Sequence, residues 1–195
     1  MEFTKFAESV KLRRVHDGIH NILLFIGEDP EREGLKETPF RMIRSWKELF
    51  SGYKQNPADV LKVFAEGACD EMVILKDVEF YSHCEHHFLP FFGKVHIGYI
   101  PNKRVVGVSK LARLTEIFAR RLQIQERMTA QIADSLMEHL EPLGVMVMVE
   151  AVHFCMTSRG IQKQNSKMIT NAIRGIFLNN IDTRNEFLQT IKGGF

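Results

Sequence analysis

From Tyr81 to Pro90 the chain reads Tyr-Ser-His-Cys-Glu-His-His-Phe-Leu-Pro, a run that crowds one thiol, one carboxylate and three imidazoles together. Packing alone does not call for that density. Cys84 and His87 stand three apart, a spacing at which a turn aims a thiolate and an imidazole at one ion while Glu85 and His86 point elsewhere. A second pair, His153 and Cys155, lies far downstream at the end of an apolar run, so the fold has to bring two distant segments together. Cys84, His87 and Cys155 would then be three protein ligands. Two thiolates and one imidazole suit zinc, and a fourth position left to water is what separates a catalytic zinc from an enclosed structural one.

The remaining composition sets the limits. A chain of 195 residues makes one ordinary domain with a small N-terminal addition, and it is long enough to bury a real core. Its formal charge of +2 points to neither a nucleic-acid nor a membrane surface. No apolar run reaches the roughly 18 to 20 residues of a membrane span, and the start, with Glu2 and Glu8, lacks a signal-peptide pattern, so a cytoplasmic protein is expected. The odd number of cysteines argues for thiols used as ligands rather than a disulfide framework, with Cys69 left as a spare thiol.

In order along the chain, Val10, Leu12, Val15, Ile19, Leu23 and Leu24 recur at helical spacing and predict an amphipathic helix from Phe3 to about Ile26, ended by Gly27. Thr38-Pro39 opens a second helix bearing Met42, Ile43, Trp46, Leu49 and Phe50, closed by Gly52. Asn56 to Asp70 reads as a short helix and a loop around Gly67. From Met72 to Tyr81 the period changes to two, with Ile74, Val78 and Phe80 set against Asp77 and Glu79. A partner strand alternates Val95, Ile97 and Tyr99 with Lys94, His96 and Gly98; after a turn at Pro101-Asn102-Lys103 comes a short strand, Arg104 to Val106. Ser109 is expected to cap a helix with Leu111, Leu114, Phe118 and Leu122 on one side; Ile124, Met128, Ile132, Leu136 and Leu140 mark another. Val145, Val147, Val149 and Ala151 then form a strand whose parity His153 and Cys155 continue, so both should face one side. A last strand is expected over Met168 to Leu178, then a polar tail. The resulting fold is α+β: an antiparallel sheet with two helices on one face, preceded by N-terminal helices. The expected organisation is a helical region 1–70, a catalytic domain 71–180 and a tail 181–195.

Four motifs carry a family resemblance: Phe-Tyr-Ser-His-Cys-Glu-His-His (80 to 87), Gly-Val-Ser-Lys-Leu-Ala-Arg (107 to 113), Gln-Ile-Gln-Glu-Arg (123 to 127) and His-Phe-Cys-Met-Thr-Ser-Arg-Gly (153 to 160). In this order, within a span from about Glu37 to Phe177, they resemble GTP cyclohydrolase I. His83 and Phe154 depart from the pattern, at positions that are neither ligand nor acid/base. The resemblance implies a tunnelling fold, in which sheets of several subunits join into a barrel, and a homodecamer with active sites shared between subunits. It also implies conversion of GTP and water to 7,8-dihydroneopterin triphosphate and formate, the first step toward tetrahydrofolate and other pterins.

The chemistry follows residue by residue. Zn2+ on Cys84, His87 and Cys155 would lower the pKa of bound water from about 15.7 toward roughly 7, making hydroxide available to attack C8 of the purine. His86 and His153 flank the ligands and are the expected proton shuttles, roles the resemblance assigns to the matching positions. The resemblance places Glu126 and its neighbour Gln125 at the substrate, with the Glu126 carboxylate accepting from N1 and the exocyclic amino group of guanine. Read alone, Glu126 and Arg127 would be a solvated helix face. Ser109, Lys110, Arg113 and Arg159 are the expected triphosphate contacts, the first two at a helix N-terminus, with Arg41 as a further one. No Gly-x-x-x-x-Gly-Lys loop occurs. His83 and His96 read as ordinary polar residues. Two rivals are a tunnelling-fold relative acting on other pterins or deazapurines, and a zinc-stabilised binding module, whose metal would be fully enclosed and whose fold would fail on chelation.

Overall fold

The structure, a computed structural model, describes residues 2–66 and 69–193. The loop expected around Gly67 lies partly outside them. The chain divides into two compact units, one ending at Leu49 and one starting at Phe50.

The first unit holds two helices, α1 (Glu2–Phe25) and α2 (Thr38–Leu49). Gly27, at φ 88°, ends α1: its N–H donates to Leu24 O (3.0 Å) and the N–H of Glu28 to Leu23 O (3.0 Å), so two last-turn carbonyls are satisfied. The apolar stripe expected on α1 is only partly buried. Ile19 and Leu23 are, but Val10, Leu12 and Leu24 are exposed, as are Ile22, Phe25 and Ile26 around the helix end.

The second unit begins with a 3-10 turn at Ser51–Lys54, so Gly52 continues the chain in a tight turn rather than simply closing α2. A Cβ there would lie 2.1 Å from Ile117 O, which explains the glycine. Asn56 accepts from the Ala58 N–H and caps α3 (Pro57–Val60), and β1 (Val63–Phe64) follows. The main strands are β2 (Val73–Cys84) and β3 (Pro90–Ile100), antiparallel, and β4 (Val105–Val106) pairs with β1 in a separate ribbon. After α4 (Val108–Ala119) the chain makes β5 (Leu122–Gln123), so Leu122 belongs to a strand and not, as its spacing suggested, to the helix. Ser109 does not cap α4. Gly107 does, without a side-chain bond, and Ser109 stands in the first turn. Next come α5 (Gln125–Leu140), β6 (Gly144–His153), the single turn α6 (Phe154–Thr157), β7 (Met168–Gly175), α7 (Ile176–Asn179) and α8 (Ile181–Lys192).

The five-stranded sheet runs β5-β2-β3-β6-β7, antiparallel except for the two-residue parallel pairing of β5 with β2. Val95, Ile97 and Tyr99 of β3 and Val145, Val147 and Val149 of β6 share one large core with Leu111 and Leu114 of α4 and Met128, Ile132 and Leu136 of α5. The expected helical layer is therefore present. Part of the other face is covered too: Phe177 and Phe187 are fully buried against Met146, with Ile74, Ile173 and Leu188 around them. The sequence after Asn179 thus contributes a packed helix.

One irregularity in β2 resets its pattern. Pairing with β3 slips between Leu75 and Val78, and Asp77 takes φ 61°, a left-handed conformation that Asp tolerates better than a branched residue. The bulge reverses the alternation. Val78 and Phe80 face the large core, whereas Ile74, of the same sequence parity, faces the small one.

The bulge is held by His96, whose Nδ1 accepts from the Asp77 N–H at 3.2 Å. An accepting Nδ1 carries no proton, and burial of the ring (6% exposed) pushes its pKa below the ordinary histidine value. Asp77 and Glu150 oppose that shift and Lys94 and Lys76 reinforce it. Below about pH 6.5 the unfolded chain takes a proton that the native one resists, so stability falls on acidification until the native pKa is passed. In His96→Asn, whose Oδ1 takes roughly the place of Nδ1, urea midpoints measured between about pH 7 and 5 are expected to fall less steeply than in the parent.

Candidate active site

β2 delivers Cys84 to the sheet's rim, and the loop after it is tied down by its own backbone. Cys84 O accepts from the N–H groups of His87 (3.3 Å) and Phe88 (2.8 Å), the Cys84 N–H donates to Leu89 O (2.8 Å), and Phe88 takes φ 60°. This tight turn gathers the side chains of residues 84, 86 and 87. The Glu85 N–H donates to Gln123 O of β5 (3.0 Å), and its carboxylate accepts from Arg127, which also donates to Gln123 Oε1 (3.1 Å) and Leu122 O (3.1 Å). Arg127 thereby clamps the loop to β5 and α5. The same guanidinium holds the Glu85 carboxyl below the usual carboxylate range.

The second segment arrives on β6, the neighbour of β3. His153 pairs in register with Phe91, and the two rings stack at 4.5 Å and 4°. The strand stops there. Cys155 lies on α6, so it does not continue the parity of the valines as expected; the turn of helix redirects it.

The thiols of Cys84 and Cys155 and a ring nitrogen of His87 nevertheless all lie within 4.8 Å of one another. Cys84 Sγ is 3.9 Å from His87 Nδ1, close to the roughly 3.6 Å that tetrahedral zinc bonds to sulfur and nitrogen require. Burial, then the neighbouring Cys84 sulfur, pushes the Cys155 thiol above its ordinary pKa. Two thiolates this close repel each other unless a cation lies between them, so the donor set, its spacing and its charge all fit a metal ion. His86 also stands near, its Nδ1 3.7 Å from Cys84 Sγ.

His153 is half-buried. Burial lowers its pKa, and the Glu126 carboxylate works in the opposite direction. Its Nε2 lies 2.7 Å from Oε1 of Gln125, which is 1% exposed. Glu126, in the first turn of α5, is exposed. Ser109 and Arg113 are exposed on the first turns of α4, Lys110 is half-exposed beside them, and Arg159 is exposed beyond α6, near enough to act electrostatically on Cys155. Among the described residues, no side-chain hydrogen bond or ion pair joins these four to the thiols. Arg41 belongs to the first unit, exposed on α2.

Sequence reasoning passed over the Arg127 clamp and the company Gln125 keeps. One trace was legible: Gln125 and Thr129 stand one helical turn apart on the buried side of α5, polar residues in an otherwise apolar stripe.

Two thiols and an imidazole at the rim of a helix-backed sheet, beside a histidine under the influence of a carboxylate, make the site of an α+β enzyme built around a group that can take a metal ion. The profile of the family described as GTP cyclohydrolase I matches residues 15–192. A protein named GTP cyclohydrolase 1 from Wolinella succinogenes is 58% identical over 193 residues, covering 98% of this chain and 100% of that one. Those of Clostridium kluyveri (55% over 179 residues; 92% and 97% covered) and Thermobifida fusca (53% over 182 residues; 92% and 88%) follow. The chain belongs to the GTP cyclohydrolase I family, and its helix-backed sheet is the tunnelling fold expected of it. A solved structure described as the archaeosine synthase QueF-Like in the apo form superposes with a TM-score of 0.43 at 19% identity over 53% of this chain and 93% of that one, too distant to bear on function.

Proposed function

We propose that the chain is a zinc enzyme that converts GTP and water to 7,8-dihydroneopterin triphosphate and formate, the first step toward folate-type pterins. The observation that carries this reading is the convergence of Cys84, His87 and Cys155 beside His153, on a chain of this family. Cys84, His87 and Cys155 hold the zinc, which when bound supplies an activated water at neutral pH. His153, its ring fixed against Phe91 and Gln125, delivers or accepts the proton at the purine ring nitrogen that leaves, and His86 is the second shuttle. Glu126 accepts from N1 and the amino group of guanine. Adenine would leave that carboxylate facing an acceptor, an unpaired contact that costs about 1–3 kcal/mol. Gln125, with its amide nitrogen against Val149 O, Met168 O and Thr170 Oγ1 and its amide oxygen against His153, backs the guanine end of the site without touching the base. Ser109, Lys110, Arg113 and Arg159 take the triphosphate, with Arg41 as an additional cation.

Several subunits complete the site in this reading, arranged as a homodecamer in the cytoplasm, with 71–180 as the catalytic portion. Supporting the assembly, β7 ends the sheet as an edge strand with Ile169 56% exposed, and Phe25 on α1 is 89% exposed, surface that an isolated subunit would leave wet.

The test is to incubate zinc-replete protein with GTP and with ATP, following formate and the fluorescence of oxidised pterin. Both products from GTP, and about 5–150-fold less from ATP, are expected from that 1–3 kcal/mol. Formate without a pterin would change the product. A folded, metal-loaded protein inactive on GTP would favour the zinc-stabilised binding module.

A further inference from the structure

We propose that Gln125 is a positioning residue, locked by strands β6 and β7 so that neutral His153 carries its proton on Nε2 and keeps Nδ1 free. The inference rests on the reading above only in giving His153 a proton to move; the lock itself is geometric.

The argument is one of donors and acceptors. Gln125 Nε2 lies 3.1 Å from each of three oxygens: Val149 O on β6, Met168 O on β7 and Thr170 Oγ1 on β7. Backbone carbonyls only accept. The hydroxyl is also committed: Thr129 donates its one proton to Gln125 O (2.7 Å), so in the 2.7 Å contact between Thr129 and Thr170 the donor is Thr170. Thr170 Oγ1 can then only accept from Gln125. All three oxygens therefore require the NH2 end of the amide, and a flipped amide would set its oxygen against two buried carbonyls. The oxygen end consequently faces His153 Nε2 at 2.7 Å, and since an amide oxygen cannot donate, the proton between them belongs to the histidine. Stacking on Phe91 fixes the ring plane. Gln125, Thr129 and Thr170 are each at least nine-tenths buried, so water does not compete for these bonds. The consequence is a histidine whose working nitrogen is chosen by the sheet behind it.

The test compares Gln125→Met, of similar length but without donor or acceptor, with the parent as zinc-replete protein. Expected are a fall in kcat of about 10–100-fold, as for other partners that orient a reacting group, and a KM for GTP within about threefold of the parent. Magic-angle-spinning 15N spectra of histidine-labelled protein, with His153 assigned by its loss in His153→Asn, should show Nε2 protonated in the parent and a mixture of tautomers in Gln125→Met. Should Gln125→Met fail to fold, Thr170→Val is expected to lower kcat by a smaller factor and Thr170→Ser to restore it. A raised KM with unchanged kcat would make Gln125 a substrate contact and overturn the proposal, as would a parent His153 protonated on Nδ1. A parent inactive on GTP would instead sink the functional reading, while the 15N spectra would still decide the state of His153.

Discussion

Cys155→Ser is expected to leave the protein folded, nearly free of zinc and at least about 1,000-fold slower in releasing formate from GTP. Serine is a close steric match for cysteine, but its hydroxyl does not ionise near neutral pH and is a hard donor where zinc here favours thiolate. Only Cys84 and His87 would remain, and two ligands do not hold zinc against dilution. The fold should survive because Cys155 is only partly covered and packs at the margin of the large core, where serine replaces it nearly isosterically, while Cys84 stays in place and the bulk of that core comes from buried residues of β3, β6, α4 and α5. Metal content by atomic emission, circular dichroism and formate release on one preparation separate the outcomes. Loss of zinc together with loss of the folded spectrum would mean that the metal is structural, as in the binding-module alternative.

Phe187→Ala should cost about 3–5 kcal/mol of stability, read from denaturant midpoints at fixed protein concentration. Phe187 is fully buried, edge-on to Phe177 with ring centroids 6.4 Å apart, and it lies directly over Gly98 of β3. A Cβ built on Gly98 would meet Phe187 Cδ2 at 2.5 Å, so the glycine is part of the same contact. Gly98→Ala in the parent should therefore destabilise by overpacking, and in the Phe187→Ala background it should be tolerated better, because the new methyl enters vacated space. A clearly non-additive double-mutant cycle is the expected sign. If the two substitutions simply add, α8 does not pack on β3 as described.

Phe187 also shows where the sequence was hard to read. In Asn-Glu-Phe-Leu-Gln-Thr-Ile-Lys the apolar residues are sparse, and a helix that buries one large ring against a glycine leaves a weak periodic signal. By contrast, Val145, Val147 and Val149 announced β6 plainly, because a strand with one face in a core must alternate. The convergence of two thiols and an imidazole was legible for a different reason: Cys84 and His87 sit in one tight turn, so their spacing is nearly their geometry. Cys155 reached the right place although the strand argument for it failed, since α6 rather than β6 carries it. The lock on Gln125 was invisible beforehand, because two of its three acceptors are backbone carbonyls, which any residue could supply. Leu122 misled because two residues of strand between two helices look, to a helical period, like more helix.

The bulge at Asp77 has a consequence for how this sequence can change. Since it reverses which side chains of β2 point where, the odd-numbered Val73 and Leu75 face the large core before it and Ile74 faces Phe177 and Phe187, whereas after it the even-numbered Val78 and Phe80 take the large core. Removing a single residue there would send Ile74 into the wrong core or turn Val78 and Phe80 out of theirs. Length in this strand is consequently under tighter constraint than composition: exchanges among apolar residues on either side of residue 77 should be absorbed, while an insertion or deletion of one should not.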